Sequence, residues 1–424
     1  MTIASLESLS FGLARTVEAA TAAGHRLCLL TGDRGYYHHE LTELPPGAAL
    51  DVVDVDTTDL DAVRKVLTAL PDLAGLINTT DTWSVPAADL AADLGLPGPD
   101  PASVRVLRDK AQVREALHRA GLSRGTSTAV PDAVIAAART GRTEDLARLL
   151  TALRPALVTP VVLKDSAGTS SRGVWIAHDE QGLWSALAAA GTLDLRGRLF
   201  AEPYLAGPLY SAETLSWDGE TRLLGVTSRH TSRTPAVREE AAAFPVALDD
   251  DELSAIEQRM AAVLAAVGHR DGFAHIEFIQ STHGPEIVEI NRRIGGALLG
   301  EALCRSLGVN VYEALIATVL GRRPELMDIP LEPRQGPSVA FVLVYAERPG
   351  VVEGFNGLDG LRTFPGGARW YPVRVPGDTV SSVADQRGCT GMVLAEAPTA
   401  ELAQHRAWSA ATTVHPVLKT VLGP

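Results

Sequence analysis

Along the first hundred residues, apolar positions come in short runs separated by helical stripes. Residues 3–6 form a brief run that reads as a strand, although four small or apolar residues at a chain start also fit a tail. A helical stripe over 12–23 follows, then an apolar strand over 25–31 ending in Gly32-Asp33. Residues 51–55 read as a strand, 60–70 as a helix, 76–79 as a strand followed by Asn78-Thr79-Thr80-Asp81, and 86–94 as a helix. Strand and helix in this alternation predict a parallel, Rossmann-like α/β domain over residues 1–100.

The pattern then changes. Leu96-Pro97-Gly98-Pro99-Asp100-Pro101 is a sharp turn or linker, in which Asp100 can cap a helix running to about residue 120. Residues 131–155 are Ala-rich and helical in pattern, and 157–207 read as strands around a Gly/Ser-rich loop. Residues 209–230 predict two antiparallel strands joined at Trp217-Asp218-Gly219-Glu220. An amphipathic helix over 250–268, two strands and a helix through 320 come next. After Pro330 the chain is β-rich and punctuated by Gly and Pro to 395, with a last helix from Thr399. The expected division is 1–100 (α/β), 101–207 (linker helix and a lid subdomain), 208–330 (core subdomain) and 331–424 (β-rich), an α/β and α+β fold.

Composition narrows the partners. The 424 residues carry a net charge of −13 and a pI near 5.3, which argues against a nucleic-acid backbone as partner. No apolar run approaches the ~18 residues of a membrane span, and residues 1–30 lack the pattern of a signal peptide, so a cytoplasmic setting is expected. Cys28, Cys304 and Cys389 are too far apart for a zinc motif and read as core residues. Only Lys65, Lys110, Lys164 and Lys419 are lysines among 38 basic residues. A compact ammonium suits a tight space among phosphate oxygens better than a planar guanidinium, which draws attention to each lysine.

The strongest candidate chemistry lies in Gly272-Phe273-Ala274-His275-Ile276-Glu277-Phe278-Ile279 and Glu286-Ile287-Val288-Glu289-Ile290-Asn291-Arg292-Arg293, joined through His283-Gly284-Pro285. A hairpin turning at His283 sets Glu277 opposite Glu289 and His275 opposite Asn291, with Glu289, Asn291 and Arg293 on one face. Opposed carboxylates flanked by Ile, Phe and Val repel each other. A hard divalent cation held by Glu277, Glu289 and Asn291 relieves this and fits the way Mg²⁺ is bound. The competing reading is two solvated glutamates on a strand face.

Two further segments bear on phosphate and nucleotide. In Val161-Val162-Leu163-Lys164-Asp165-Ser166-Ala167-Gly168-Thr169-Ser170-Ser171-Arg172-Gly173-Val174, an apolar strand delivers a scarce lysine into a loop of small residues. The backbone N–H groups of such a loop can approach phosphates. It is no Walker loop, and a plain hairpin fits the same residues. Leu199-Phe200-Ala201-Glu202-Pro203-Tyr204-Leu205 ends in a turn that could face an adenine edge or simply join two domains.

In this order and spacing the three segments resemble the ATP-grasp superfamily. The resemblance implies ATP held between two α+β subdomains after an N-terminal parallel-sheet domain. It implies phosphate contacts from Lys110 and Lys164 and a lid including Ser166, Gly168, Thr169, Ser170, Ser171 and Gly173. Glu202, Pro203, Tyr204 and Leu205 become the adenine hinge, and Glu277, Glu289 and Asn291 the Mg²⁺ (or Mn²⁺) ligands, with Arg293 completing Glu-x-Asn-x-Arg. Within the superfamily the chain is similar to L-amino-acid ligases, on Gly207 to Thr214, Arg229 to Pro245 and the β-rich end. This points to Arg229, Glu239, Arg292, Arg293, Gly295 and Gly296 at the substrate. Leu209 and Arg229 depart from that family's pattern, where an acid and a lysine are common.

The implied reaction is ADP-forming ligation of an amino-acid-type carboxylate to an amine through an acyl phosphate, with Lys164 and Arg293 as catalytic residues. Small molecules are the expected partners, and homodimers are common in that family. The alternatives are another acceptor (bicarbonate, a thiol, a hydroxyl) or a non-catalytic ATP-binding sensor or scaffold.

Overall fold

In a computed structural model, residues 1–140, 158–169, 172–232, 237–332 and 336–419 are described. Four parallel strands open the chain, in spatial order Leu50–Asp54, Arg26–Thr31, Thr2–Leu6, Leu73–Ile77. The brief run at the chain start is therefore an inner strand, buried along its whole length. Both of its edges are paired, which a tail would not be. Asp81 and its neighbours leave the sheet at the carboxyl end of Leu73–Ile77, the end at which open α/β sheets present loops to ligands.

The single helix expected over 101–120 is two, Pro101–Arg108 and Lys110–Arg119. Asp109 breaks it. Its backbone is extended (φ −113°, ψ 102°) and its carboxylate accepts from the N–H groups of Ala111 and Gln112, an N-cap that starts a second helix. Lys110 thereby becomes the first residue of a helix, and its backbone N–H donates to Ser166 O at 3.0 Å. Of the helix expected over 131–155, Asp132–Thr140 is present; 141–157 lie outside the described residues.

A small antiparallel sheet carries the Gly/Ser loop, in order Thr128–Ala129, Leu199–Pro203, Val161–Asp165, Val174–Ala177. The main sheet has eight antiparallel strands, in order Gly284–Asn291, Gly272–Ser281, Leu209–Trp217, Glu220–Thr231, Glu239–Phe244, Ser338–Tyr345, Cys389–Ala397, Arg369–Pro372. Its second strand pair turns at Asp218 and Gly219, both at positive φ (48° and 84°), as a two-residue hairpin requires. The boundary expected at 330/331 falls between strands of this one sheet, so the β-rich end extends the core edge to edge. A separate three-stranded sheet (Thr379–Val380, Gly350–Asn356, His415–Lys419) completes that end.

Helices seal the main sheet. Ile276, Phe278, Ile287 and Ile290 pack against Pro101–Arg108, Lys110–Arg119 and Asp250–Ala266. Leu215, Phe273 and Phe244 pack with Leu299–Leu307 and Tyr312–Val319, which also join Leu13–Ala22 of the first domain in one cluster. All three cysteines are buried and unpaired. Among the described residues no single helix is long and apolar enough to cross a membrane.

His269 is enclosed beside Gly272 O (3.2 Å from Nε2), and burial, with Arg292 nearby, holds its imidazole at a pKa of about 3. It stays neutral in the fold but charges in the unfolded chain below pH ~6.5. Stability is therefore lost as pH falls from about 6.5 toward 3, by about 1.4 kcal/mol per unit at most. Thermal melts from pH 7.5 to 5 are expected to fall more steeply for the wild type than for His269→Gln.

Candidate active site

The hairpin pairs Glu277 with Glu289, Ile276 with Ile290 and His275 with Asn291. The route to this register differs from the sequence expectation. The turn is the two residues Thr282 and His283, with Ser281 opposite Gly284, which by itself would leave the glutamates one residue out of step. A β-bulge at Val288, between the Phe278–Ile287 and Glu277–Glu289 pairs, restores them. The bulge is what brings two acids face to face on adjacent strands.

Cations from separate segments converge on these acids. Lys110 Nζ lies 3.0 Å from Glu289 Oε1 and donates to Gly168 O at 2.6 Å, linking the loop to the hairpin. Arg229, from Glu220–Thr231, is the hub on the other side. It donates to Glu277 Oε1 at 2.8 Å, sits 3.0 Å from Glu239 Oε1, and lies 2.6 Å from His275 Nε2. Burial raises the Glu277 carboxyl, but Arg229, the first of the opposing charges, outweighs it and holds it well below the ordinary carboxylate range. His275 Nδ1 meets Glu213 at 2.9 Å, and Glu213 also accepts from Ser211 (2.7 Å) and Thr227 (3.0 Å). Burial pushes the imidazole toward neutrality, while Glu213 pulls its pKa up to about 9. A guanidinium nitrogen at 2.6 Å needs an acceptor, so the geometry favours the neutral ring, with Nδ1–H donating to Glu213 and Nε2 accepting from Arg229.

Arg293 does not stand free. Its Nε and Nη2 both donate to Asp81 Oδ2, at 2.9 and 2.5 Å, and Nη1 donates to Ile294 O at 3.1 Å. Asp81 belongs to the first domain and was not singled out from the sequence. Burial alone would raise its carboxyl, but Arg293, Arg108 and Lys110 depress it. The side-chain amide of Asn291 faces Glu289 Oε1 and Asp81 Oδ1 at 3.2 and 3.3 Å. With its nitrogen there it donates two hydrogen bonds; with its oxygen there, three oxygens crowd together, favourable only around a cation. Two opposed carboxylates and an amide oxygen are the hard-oxygen donor set Mg²⁺ takes, so the residues fit that ion.

At the other end of the site, Glu202 is clamped by Lys164 Nζ (2.5 Å) and Arg114 Nη2 (2.9 Å), and all three are buried. Arg114 also donates to Ser123 Oγ (3.0 Å) and Ile287 O (2.6 Å). The Glu202 side chain thus holds cations, and after it Tyr204 packs edge-on to His178. Ser166 and Gly168 sit in the Lys110-linked loop, where Asp165 accepts from the backbone N–H groups of Ala167, Arg196 and Gly197. Gly173 follows at φ 76°, and Arg196 reaches Thr169 (3.3 Å). Ser170 and Ser171 lie outside the described residues. Gly295 is required by packing: a Cβ there would meet Leu299 Cδ2 at 2.2 Å and His275 Nδ1 at 2.9 Å, whereas Gly296 has room. Arg292 bonds only Asp271 O (3.1 Å) and lines a separate cavity. Glu239 is held from the β-rich end, by Gln386 Nε2 (3.3 Å) on its carboxylate and Tyr345 OH (2.6 Å) on its carbonyl.

Asp81, Arg114 and Glu213 escaped sequence reasoning. Asp81 carried one signal, its place after a parallel strand; Glu213 carried another, an acid inside an apolar strand.

Known proteins fit this geometry. Residues 157–301 match the ATP-grasp domain, and residues 342–419 match the L-amino acid ligase C-terminal domain 2. The fold superimposes on the crystal structure of L-amino acid ligase from Bacillus licheniformis with a TM-score of 0.78, at 19% identity over 99% of both chains. By sequence the chain is 25% identical to the uncharacterized protein y4rH of Sinorhizobium fredii, over 90% of this chain and 76% of that one. It is 28% identical to carnosine synthase 1 of Gallus gallus over 66% of this chain, spanning about a third (31%) of that larger protein. The chain thus carries an ATP-grasp domain. Behind it lies a domain matching the L-amino acid ligase C-terminal domain 2, and the whole fold resembles an L-amino acid ligase.

Replacing Glu202 by Gln leaves Lys164 and Arg114 buried without a carboxylate. Breaking a buried ion pair from one side costs about 3–5 kcal/mol, and urea denaturation is expected to show a loss of that size. Gly295→Ala is expected to cost about 1–3 kcal/mol through overpacking, read in the same way.

Proposed function

We propose that this chain joins an amino-acid-type carboxylate to an amine, using ATP and releasing ADP and phosphate through an acyl phosphate. ATP and Mg²⁺ are the cofactors of the ATP-grasp class. The observation that carries the reading is the meeting of Glu277, Glu289, Asn291, Lys110 and the Asp81-held Arg293 around one point, beside a loop of small residues.

Glu277, Glu289 and Asn291 would hold Mg²⁺, which when bound neutralises phosphate oxygens. Lys110 and Lys164 supply fixed positive charge to the phosphates, and the loop around Gly168 covers them and excludes water that would hydrolyse the acyl phosphate. Arg293, fixed by Asp81, offers its remaining donor capacity to the transferred phosphoryl group. Much of the rate enhancement in such a reaction comes from holding the carboxylate, the phosphoryl group and the amine in line. Arg229 and Glu239, adjacent and opposite in charge, suit the two ends of an amino-acid substrate. Glu239 is braced by Gln386 and Tyr345, so the β-rich end would set substrate choice.

The test is ADP and phosphate release with Mg²⁺-ATP across amino acids, singly and in pairs, with mass spectrometry of products. Release that requires a pair, with an amide or dipeptide mass, is the expected outcome. Release driven by bicarbonate, a thiol or an alcohol instead would replace the amine as acceptor. No stimulated release despite nucleotide binding would leave a sensor. Glu289→Gln and Arg293→Ala are each expected to lower kcat at least ~100-fold, of the order seen when a transition-state charge stabiliser is removed. Full turnover in Arg293→Ala would exclude its phosphoryl role.

A further inference from the structure

A cavity of about 440 Å³ lies where the first domain meets the end of the main sheet. Its walls come from Asn78 and Ser84 of the first domain, Trp217 and Phe273 of the sheet, Val319 of the helix Tyr312–Val319, and Arg292. Glu277, Glu289, Asn291, Lys110 and Lys164 do not line it; Arg293 does, so the cavity abuts the carboxylate cluster without containing it. Its volume falls within the range of small-molecule sites, and its surface divides about evenly between apolar and polar groups, Asp218 and Asp271 among them.

The charge on its wall is unusual. Three arginines of the site are matched to carboxylates: Arg114 to Glu202, Arg229 to Glu239 and Glu277, Arg293 to Asp81. Arg292 is half-buried, yet among the described residues it has no carboxylate within ion-pair distance. Its one hydrogen bond is from Nη2 to the backbone carbonyl of Asp271. The Asp271 carboxylate, which also lines the cavity, accepts from the Asp218 N–H at 2.7 Å and acts on Arg292 only beyond ion-pair distance. A half-buried cation without an ion-pair partner gains from an anion, and Arg292 lines this open space.

We propose that this cavity is a second binding site, taking a small carboxylate with an apolar body, its carboxylate on Arg292 and its body against Trp217, Phe273 and Val319. The guanidinium's planar fork matches a carboxylate in two hydrogen bonds. Occupancy would bear on the neighbouring reaction centre, because Asn78 is three residues before Asp81 and Arg292 directly precedes Arg293. The site does not depend on the ligase reading, since it is assayed without nucleotide.

The experiment is calorimetric titration of the nucleotide-free full chain with sodium 4-methylpentanoate and, separately, with the uncharged 4-methylpentanamide. The acid is expected to bind saturably and the amide at least about tenfold more weakly, as for loss of a charged hydrogen-bond pair. Arg292→Gln is expected to weaken the acid by a similar factor, and Arg292→Lys by less. Thr318→Phe, which fills the cavity from the helix, should abolish binding, while Arg34→Gln, an exposed arginine outside the lining, should leave it within about threefold. Should Arg292→Gln fail to fold, the Thr318→Phe and amide arms decide. Equal binding of acid and amide, unchanged affinity in Arg292→Gln or Thr318→Phe, an equal loss in Arg34→Gln, or no binding at millimolar acid would each overturn the proposal.

Discussion

Two carboxylates held face to face on neighbouring strands impose the central constraint on this protein. Glu277 and Glu289 oppose one another because a bulge at Val288 puts them in register. Apolar residues on the reverse of the same strands pack against three helices, so neither acid can be turned out to water without unpacking the core. Like charges so placed must be compensated locally. The compensation comes from a distance in sequence: Lys110 from a helix start, Arg229 from the next strand pair, and Arg293 with Asp81 from beyond the hairpin and from the first domain.

That demand links the domains. Lys110 bonds Glu289 and Gly168 together, so the hairpin and the phosphate loop share one cation. Arg114 reaches Glu202 in the small sheet and Ile287 in the large one, tying the two α+β halves behind the hinge. Asp81 carries the same logic into the parallel-sheet domain. The site is therefore a junction at which four segments exchange charges, and the β-rich end joins through Glu239. Such preorganised charge is what phosphoryl transfer requires of a protein, because the reacting groups do the covalent chemistry themselves.

Against this background Arg292 stands apart. The next residue, Arg293, has Asp81; Arg292 has a carbonyl and a cavity. The contrast rests on the same electrostatic rule that organises the rest of the site.

Much of the fold was legible in the sequence. Period-two and period-3.6 patterns depend on residues close together in the chain, and they placed the parallel strands, the Asp218-Gly219 turn and the acidic hairpin. The pairing of Glu277 with Glu289 was also legible, because side chains alternate along a strand. The bulge that achieves it was not, since a two-residue turn and a bulge can together mimic a longer turn. The break at Asp109 was missed because a capping carboxylate can interrupt a continuous apolar stripe without changing it. What only the tertiary structure decided was who neutralises whom. Asp81 and Arg293 are 212 residues apart, and Arg114 and Glu202 are 88. No local pattern specifies such pairs: charge compensation acts through space at a few ångströms, and proximity across that many residues exists only once the sheets have packed.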